Sequence, residues 1–214
     1  MSMTDAQTDL TCHRKKIGVM GGTFDPIHYG HLFAAEKAKE ALALDRVIFI
    51  PAGNPPHKHY EDMASAEDRY AMTLLAVNNN MAFEVSRMET DRKGRSYTAD
   101  TLEALGKIHT NSDFFLIVGM DSALDIPNWY NPHKILSLCT VVAITRPGFL
   151  RDKILVLAPE MRSSLIVLDT DMVDISATSI RCRVRDGLSV GHLTPKAVCE
   201  YMLKKNLYSN MGES

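Results

Sequence analysis

The chain has 214 residues, 45% of them hydrophobic and 23% charged, with a formal net charge of −2. That length holds one well-buried domain and is short for two of ordinary size. The charge balance excludes a general nucleic-acid coat, which needs a broad basic face. With no apolar run near the roughly 18–20 residues that cross a bilayer, the composition is that of a soluble globule.

Met1 to Lys16 is polar and mixed in charge, without the apolar core of a secretory signal, and reads as a flexible lead-in over 1–15. Ile17-Gly18-Val19-Met20 is a short buried-strand run. The stretch Gly21-Gly22-Thr23-Phe24-Asp25-Pro26-Ile27-His28-Tyr29-Gly30-His31-Leu32 follows, and Leu32 to Leu42 repeats apolar residues at helical spacing. A strand, a glycine turn and a helix make a site for anionic oxygen. The glycines let a ligand approach the backbone, and the free amides at a helix start favour negative charge. His28 and His31 are three apart and share one face of the first turn. Asp25, between Phe24 and Pro26, reads as a turn-holding carboxylate rather than a general base.

Arg46 to Pro51 predicts a second strand that runs into a Pro/Gly/Asn/His loop. Glu67 to Asn79 reads as a helix with Tyr70, Leu74, Leu75 and Val77 on its apolar positions, and Phe83 to Ser86 as a short strand. Ser96 and Thr98 precede a helix over Ala99 to His109, and either hydroxyl could cap it. Phe114 to Val118, Thr140 to Thr145 and Ser164 to Leu168 are strand runs, while Ile126 to Tyr130, with the sole tryptophan Trp129, reads as a loop. Helical segments follow near Ser179 to Arg185 and Pro195 to Lys205, with Pro195 suited to a first-turn position.

Apolar strands separated by helices predict an α/β fold: one doubly wound, Rossmann-like domain over 16–208, with a mostly parallel sheet, a C-terminal helical segment and a tail over 209–214. Ligands of such sheets sit beyond the C-terminal strand ends, so polar motifs that follow strands converge on one cleft. Cys12, Cys139, Cys182 and Cys199 show neither CxxC pairing nor zinc spacing and read as reduced thiols of a cytoplasmic protein. Cys139 and Cys199 are expected to fill the core and Cys12 to be exposed.

The GGTFDPIHYGHL run resembles the GGTFDPxHxGH signature of nucleotidylyltransferases that carry the (H/T)xGH motif. Ile175-Ser176-Ala177-Thr178-Ser179-Ile180-Arg181 resembles their second signature, ISxTxIR. The segments Pro51 to Lys58, Ser96 to Leu102, Gly119-Met120-Asp121, the Trp129 region, Arg146-Pro147-Gly148 and the tail from Tyr201 to Tyr208 are similar to the bacterial nicotinate-nucleotide adenylyltransferases. The likeness covers roughly Lys16 to Tyr208. It implies transfer of AMP from ATP to nicotinate mononucleotide, giving nicotinate adenine dinucleotide and pyrophosphate in NAD biosynthesis. The nucleophile is then a substrate phosphate with a second pKa of about 6. No side chain has to take a proton, and catalysis can come from aligning two anions and stabilising the leaving charge.

The same resemblance implies that His28 and His31 contact the ATP phosphates beside Gly21, Gly22, Thr23 and Phe24, with His31 the strongest candidate for stabilising the transition state. Arg181, three residues from Thr178 and on the same helical side, can pair with phosphate oxygens and joins the histidines as a catalytic candidate. Gly119, Asp121, Arg146, Ser176 and Thr178 complete the expected ATP side. For Asp121 a ribose contact and a strand-end helix cap both stand, and for Arg146 a nucleotide contact and a structural salt bridge. Ala177 stands where many relatives have serine.

On the acceptor side, Lys58 would bring a mobile positive charge to a substrate phosphate, and Trp129 would stack on the pyridine ring. Thr98 and the backbone near Tyr130 would read its carboxylate. Magnesium would arrive with ATP, with no all-protein metal cage expected. His57 reads as a phosphate or loop contact, and His59, His109, His133 and His192 as surface or packing residues. The implied partners are ATP and nicotinate mononucleotide, with no nucleic acid and no membrane. Homo-oligomerisation stays open, as do the role of residues 149–162, a preference for nicotinamide mononucleotide or another phosphorylated acceptor, and a non-catalytic nucleotide-binding regulatory module.

Overall fold

Strands that carry apolar side chains on both faces must be covered on both sides. The computed structural model describes residues 13–54, 63–145, 154, 158–170 and 175–209, and it resolves that requirement with six strands and eight helices among the described residues. The strands are β1 (Lys15–Gly22), β2 (Arg46–Pro51), β3 (Phe83–Val85), β4 (Ser112–Gly119), β5 (Cys139–Ile144) and β6 (Leu165–Leu168). Every pairing is parallel. The spatial order is β3-β2-β1-β4-β5-β6, so the winding reverses between β1 and β4, where Val19 stands opposite Leu116.

The helices are α1 (Tyr29–Leu42), α2 (Ala66–Val77), α3 (Thr98–Ile108), α4 (Met120–Asp125), α5 (Pro132–Leu138), α6 (Pro159–Ser163), α7 (Ala177–Arg185) and α8 (Lys196–Lys204). Successive strand residues point to opposite faces, and the core divides accordingly. Met20, Phe49, Ile117 and Val142 pack with Ala35 and Ala38 of α1, Met72 of α2, Ile180 of α7 and Val198 of α8. Val19, Ile48, Leu116 and Val141 pack with Leu102 of α3, Ala123 of α4, Ile135 of α5 and Met161 of α6. The doubly wound parallel fold expected from the sequence is the one observed.

Several local expectations are corrected. Leu74 and Leu75 of α2 are exposed; the buried stripe is Arg69, Met72, Thr73 and Val77. Neither Ser96 nor Thr98 caps α3: Tyr97 occupies the cap position and makes no side-chain cap hydrogen bond. Pro195 is the residue before α8 rather than its first turn. Ile126 to Tyr130, read as a loop, holds a single 3₁₀ turn over Ile126–Asn128, with Trp129 and Tyr130 outside regular structure. The short helices α4 and α5 flank it. The helical signals there are short, and α5 shows them best, with Pro132 at its start and Ile135, Leu136 and Leu138 behind it. Cys139 is buried and Cys199 half-buried, as expected; Cys182 is exposed. Residues 1–12, with Cys12, lie outside the described residues.

Arg69 is a charge on the buried stripe of α2, only 1% exposed. Its guanidinium donates to the carbonyl oxygens of Ala64 (3.1 Å), Thr23 (2.8 Å) and Gly53 (2.9 Å). It therefore ties the turn after β1 to the loop after β2 and to the entry of α2. Arg69→Met keeps most of the volume but leaves three carbonyls without this donor. It is expected to lower stability by about 3 kcal/mol or more, with Arg69→Lys intermediate, in urea unfolding. An unchanged midpoint for Arg69→Met would show that the clip does not support the fold.

Candidate functional site

At the point where the strand order reverses, the ends of β1 and β4 open a cleft of about 1040 Å³. Open parallel sheets bind ligands at this position, and the volume lies at the upper end for small-molecule sites. Gly21, Gly22 and Gly119, at the adjacent strand ends, line it. A Cβ on Gly21 would meet nothing within 4 Å, so the backbone there is open to a ligand. A Cβ on Gly22 would lie 2.8 Å from the Phe24 ring. Phe24 is buried with φ of 50°, a conformation uncommon for a bulky residue. It places its ring edge-on to His31, 5.0 Å between centroids.

His28 precedes α1 and His31 lies in its first turn. Their rings stack at 3.7 Å, which confirms the shared face, and both line the cleft. The backbone N–H of His28 donates to Nδ1 of His31 (3.3 Å). A neutral imidazole that accepts at Nδ1 carries its hydrogen on Nε2, so His31 holds a donor at Nε2 in an orientation set by His28 on one side and Phe24 on the other. A Cβ on Gly30 would lie 3.0 Å from the His28 ring, which leaves little room for any larger residue between the histidines.

Arg181, from α7, lines the same cleft. It reaches the turn between the glycines and the histidines: Nη1 donates to the Asp25 carbonyl oxygen (2.7 Å) and lies 3.7 Å from the Asp25 carboxylate. Nη2 donates to Thr178 Oγ1 (3.3 Å), as their three-residue spacing predicts. Ser176 caps α7, its Oγ accepting from the Ser179 N–H (3.1 Å). The other Asp25 oxygen accepts from Tyr208 Oη (2.6 Å) and from the Ala64 N–H (3.1 Å). Thr194 Oγ1 donates to the Ile27 carbonyl (2.7 Å), and the Leu193 carbonyl accepts from the Tyr29 N–H (2.9 Å). The last third of the chain is thus laced to the first turn.

A family model described as cytidylyltransferase-like matches residues 19–183. The chain belongs to the cytidylyltransferase-like family. A protein of Desulfitobacterium hafniense strain Y51 named probable nicotinate-nucleotide adenylyltransferase is 44% identical over 200 residues, covering 91% of this chain and 96% of its own. One of the same name from Moorella thermoacetica is 42% identical over 205 residues, covering 94% of each. Among solved structures, the Plasmodium falciparum nicotinic acid mononucleotide adenylyltransferase complexed with NaAD superposes with a TM-score of 0.73 at 19% identity, over 91% of this chain and 97% of that one. That likeness is one of fold.

The opposite wall of this cytidylyltransferase-like cleft comes from the elements on the other face of the sheet. Thr98 starts α3, Trp129 follows the 3₁₀ turn, and both line the cleft with the exposed Tyr130. Tyr130 packs its ring on Tyr97 at 4.5 Å. Asp121 is exposed on α4 and is not among the lining residues; Ser122 and Asp125 of the same helix are. Lys58, His57, His59 and Arg146 lie outside the described residues, as does most of 149–162. His133 and His192 are exposed, and His109 Nδ1 lies 3.2 Å from an Arg46 guanidinium nitrogen.

Glu89 and Thr101 also line the cleft and were not read from the sequence. Thr101 Oγ1 donates to Glu89 Oε1 (2.7 Å). The spacing of Thr98 and Thr101 in the SYTADTL run could have placed both on one face of α3. No comparable signal marks Glu89, which is brought in by the chain crossing Gly53, where a Cβ would lie 2.1 Å from the Glu89 carbonyl oxygen. Burial pushes the Glu89 carboxyl above the ordinary range, against the downward pull of Thr101 and Arg92. A raised value in the fold means that Glu89 favours folding when protonated. Its contribution is full below the unfolded value of about 4.3 and is lost as pH rises through the raised one. Glu89→Gln should therefore flatten the fall in Tm across that interval; parallel Tm–pH curves for the two proteins would contradict this.

Proposed function

We infer that the chain is a nicotinate-nucleotide adenylyltransferase, transferring AMP from ATP to nicotinate mononucleotide with release of pyrophosphate. The observation that carries the reading is the arrangement of His28, His31 and Arg181 on one cleft at the reversal of the sheet. The names of the relatives at 44% and 42% identity support the same reaction.

In this reading the phosphate oxygen of the mononucleotide attacks the α-phosphorus of ATP. The bond from that phosphorus to the bridging oxygen of the β-phosphate breaks, and pyrophosphate leaves. The nucleophile is already ionised, so a general base is not required. Nε2–H of His31 and the Arg181 guanidinium stabilise the charge that grows on the phosphate oxygens, and His28 fixes the ring of His31. The open backbone at Gly21, beside Gly22, Thr23 and Phe24, admits the triphosphate. Gly119, Ser176 and Thr178 bound the same side, and Lys58 and Arg146 are assigned to substrate phosphate and nucleotide.

Trp129 stacks on the pyridine ring, with Thr98 and the Tyr130 backbone at its carboxylate. Among the described residues no group of three or more His, Cys, Asp and Glu side chains is placed to hold a metal. The triphosphate oxygens and water would hold magnesium, which supplies further neutralisation of the leaving group. Among the described residues no helix is long and apolar enough to cross a membrane, and the free thiols suit a cytoplasmic enzyme.

A pyrophosphate-release assay with ATP and nicotinate mononucleotide tests the reading. His31→Ala should lower kcat by about 10²–10³-fold, as loss of a positioned charge-stabilising donor does. Turnover of His31→Ala within a few-fold of the unaltered enzyme would exclude the role given to this ring.

A further inference from the structure

The cleft is polarised. Among the described lining residues, His28 at the start of α1, His31 on it and Arg181 on α7 stand on one face of the sheet. The carboxylates of Glu89 and Asp125 stand with α3 and α4 on the other, while that of Asp25 is buried against Arg181. The acceptor proposed above carries an anionic phosphate at one end. At the other, its pyridine nitrogen, quaternised by the ribose, is positive in the oxidised ring and uncharged in the reduced one. The ring carboxylate, assigned above to Thr98 and the Tyr130 backbone, is negative in both.

Asp125 is placed to use the charge of that nitrogen. Oδ2 accepts from the Trp129 indole Nε1–H (3.2 Å) and Oδ1 from the Asn128 amide (2.9 Å). The carboxylate thus fixes the plane of the indole and adds negative potential at the edge of the aromatic ring best suited to bind cations. Tyr97 and Tyr130, with centroids 4.5 Å apart and planes tilted by 36°, add aromatic rings to the same wall. Burial holds Glu89 toward its neutral form, which leaves Asp125 as the exposed carboxylate of this wall.

We propose that Asp125, acting with Trp129, determines specificity for the positive ring nitrogen, so that the acceptor is taken as the oxidised pyridinium rather than as the dihydropyridine, whose nitrogen is uncharged. This rests on the acceptor reading above and deepens it. Trp129 is the only tryptophan, so its fluorescence reports binding at this wall independently of turnover.

The test compares oxidised and chemically reduced nicotinate mononucleotide, by fluorescence titration and by kcat/KM with saturating ATP, for the unaltered protein, Asp125→Asn and Asp125→Glu. Asp125→Asn should bind and use the oxidised form about fivefold less well or worse, with the reduced form and the KM for ATP little changed. Asp125→Glu should restore part of the preference. Equal losses on both forms, or no loss, in a folded and active Asp125→Asn overturns the proposal alone. An unaltered protein that neither binds nor turns over the oxidised form overturns the acceptor reading, and the proposal with it.

Discussion

The carboxylate of Asp25 is the point at which the two ends of the chain meet. One oxygen takes hydrogen bonds from Tyr208 and from the backbone of Ala64, while the other faces the Arg181 guanidinium, which also grips the Asp25 carbonyl. A carboxylate that is 2% exposed would be costly if unpaired, so its partners are held as firmly as it is. Thr194 and Leu193 extend the same lacing to Ile27 and Tyr29. The fold thereby fixes an arginine from the seventh helix beside histidines of the first, although their helices are far apart in sequence.

That linkage organises the cleft. The reversal of strand order opens a gap at β1 and β4, and glycines at both strand ends leave its floor as bare backbone. Arg69 then holds the turn after β1 against the loop after β2 from below. The wall on α1 and α7 carries the groups suited to phosphate, and the wall on α3 and α4 carries aromatic rings and carboxylates. A ligand with an anionic phosphate at one end and an aromatic ring at the other fits this division.

Much of this was legible in the residues. Apolar runs located all six strands, because buried parallel strands need no alternation to be recognised. The histidine spacing gave the stacked rings, and the Thr178–Arg181 spacing gave their hydrogen bond. The turn-holding role expected for Asp25 agrees with its contacts, but its partners Tyr208 and Ala64 lie too far along the chain for local pattern to find. The burial of Arg69 was hidden for a different reason. Its neighbours Tyr70, Leu74 and Leu75 suggested another apolar face, and the Thr23 and Gly53 carbonyls brought by tertiary structure, with that of Ala64 at the helix entry, decided otherwise. The short helices α4 and α5 escaped notice because six or seven residues give too little periodicity to distinguish from a loop. Asp125 was missed with them.

The most direct test is Asp25→Asn, which keeps the oxygen facing Tyr208 and Ala64 but turns an amide N–H₂ toward Arg181. With folding checked by circular dichroism and acceptor binding by Trp129 fluorescence, both should be close to those of the unaltered protein. The kcat/KM for ATP should fall about tenfold or more, the scale of losing a close, largely buried charge pair. A folded Asp25→Asn protein with unchanged kcat/KM for ATP would contradict the claim that Asp25 sets Arg181 in place for the triphosphate.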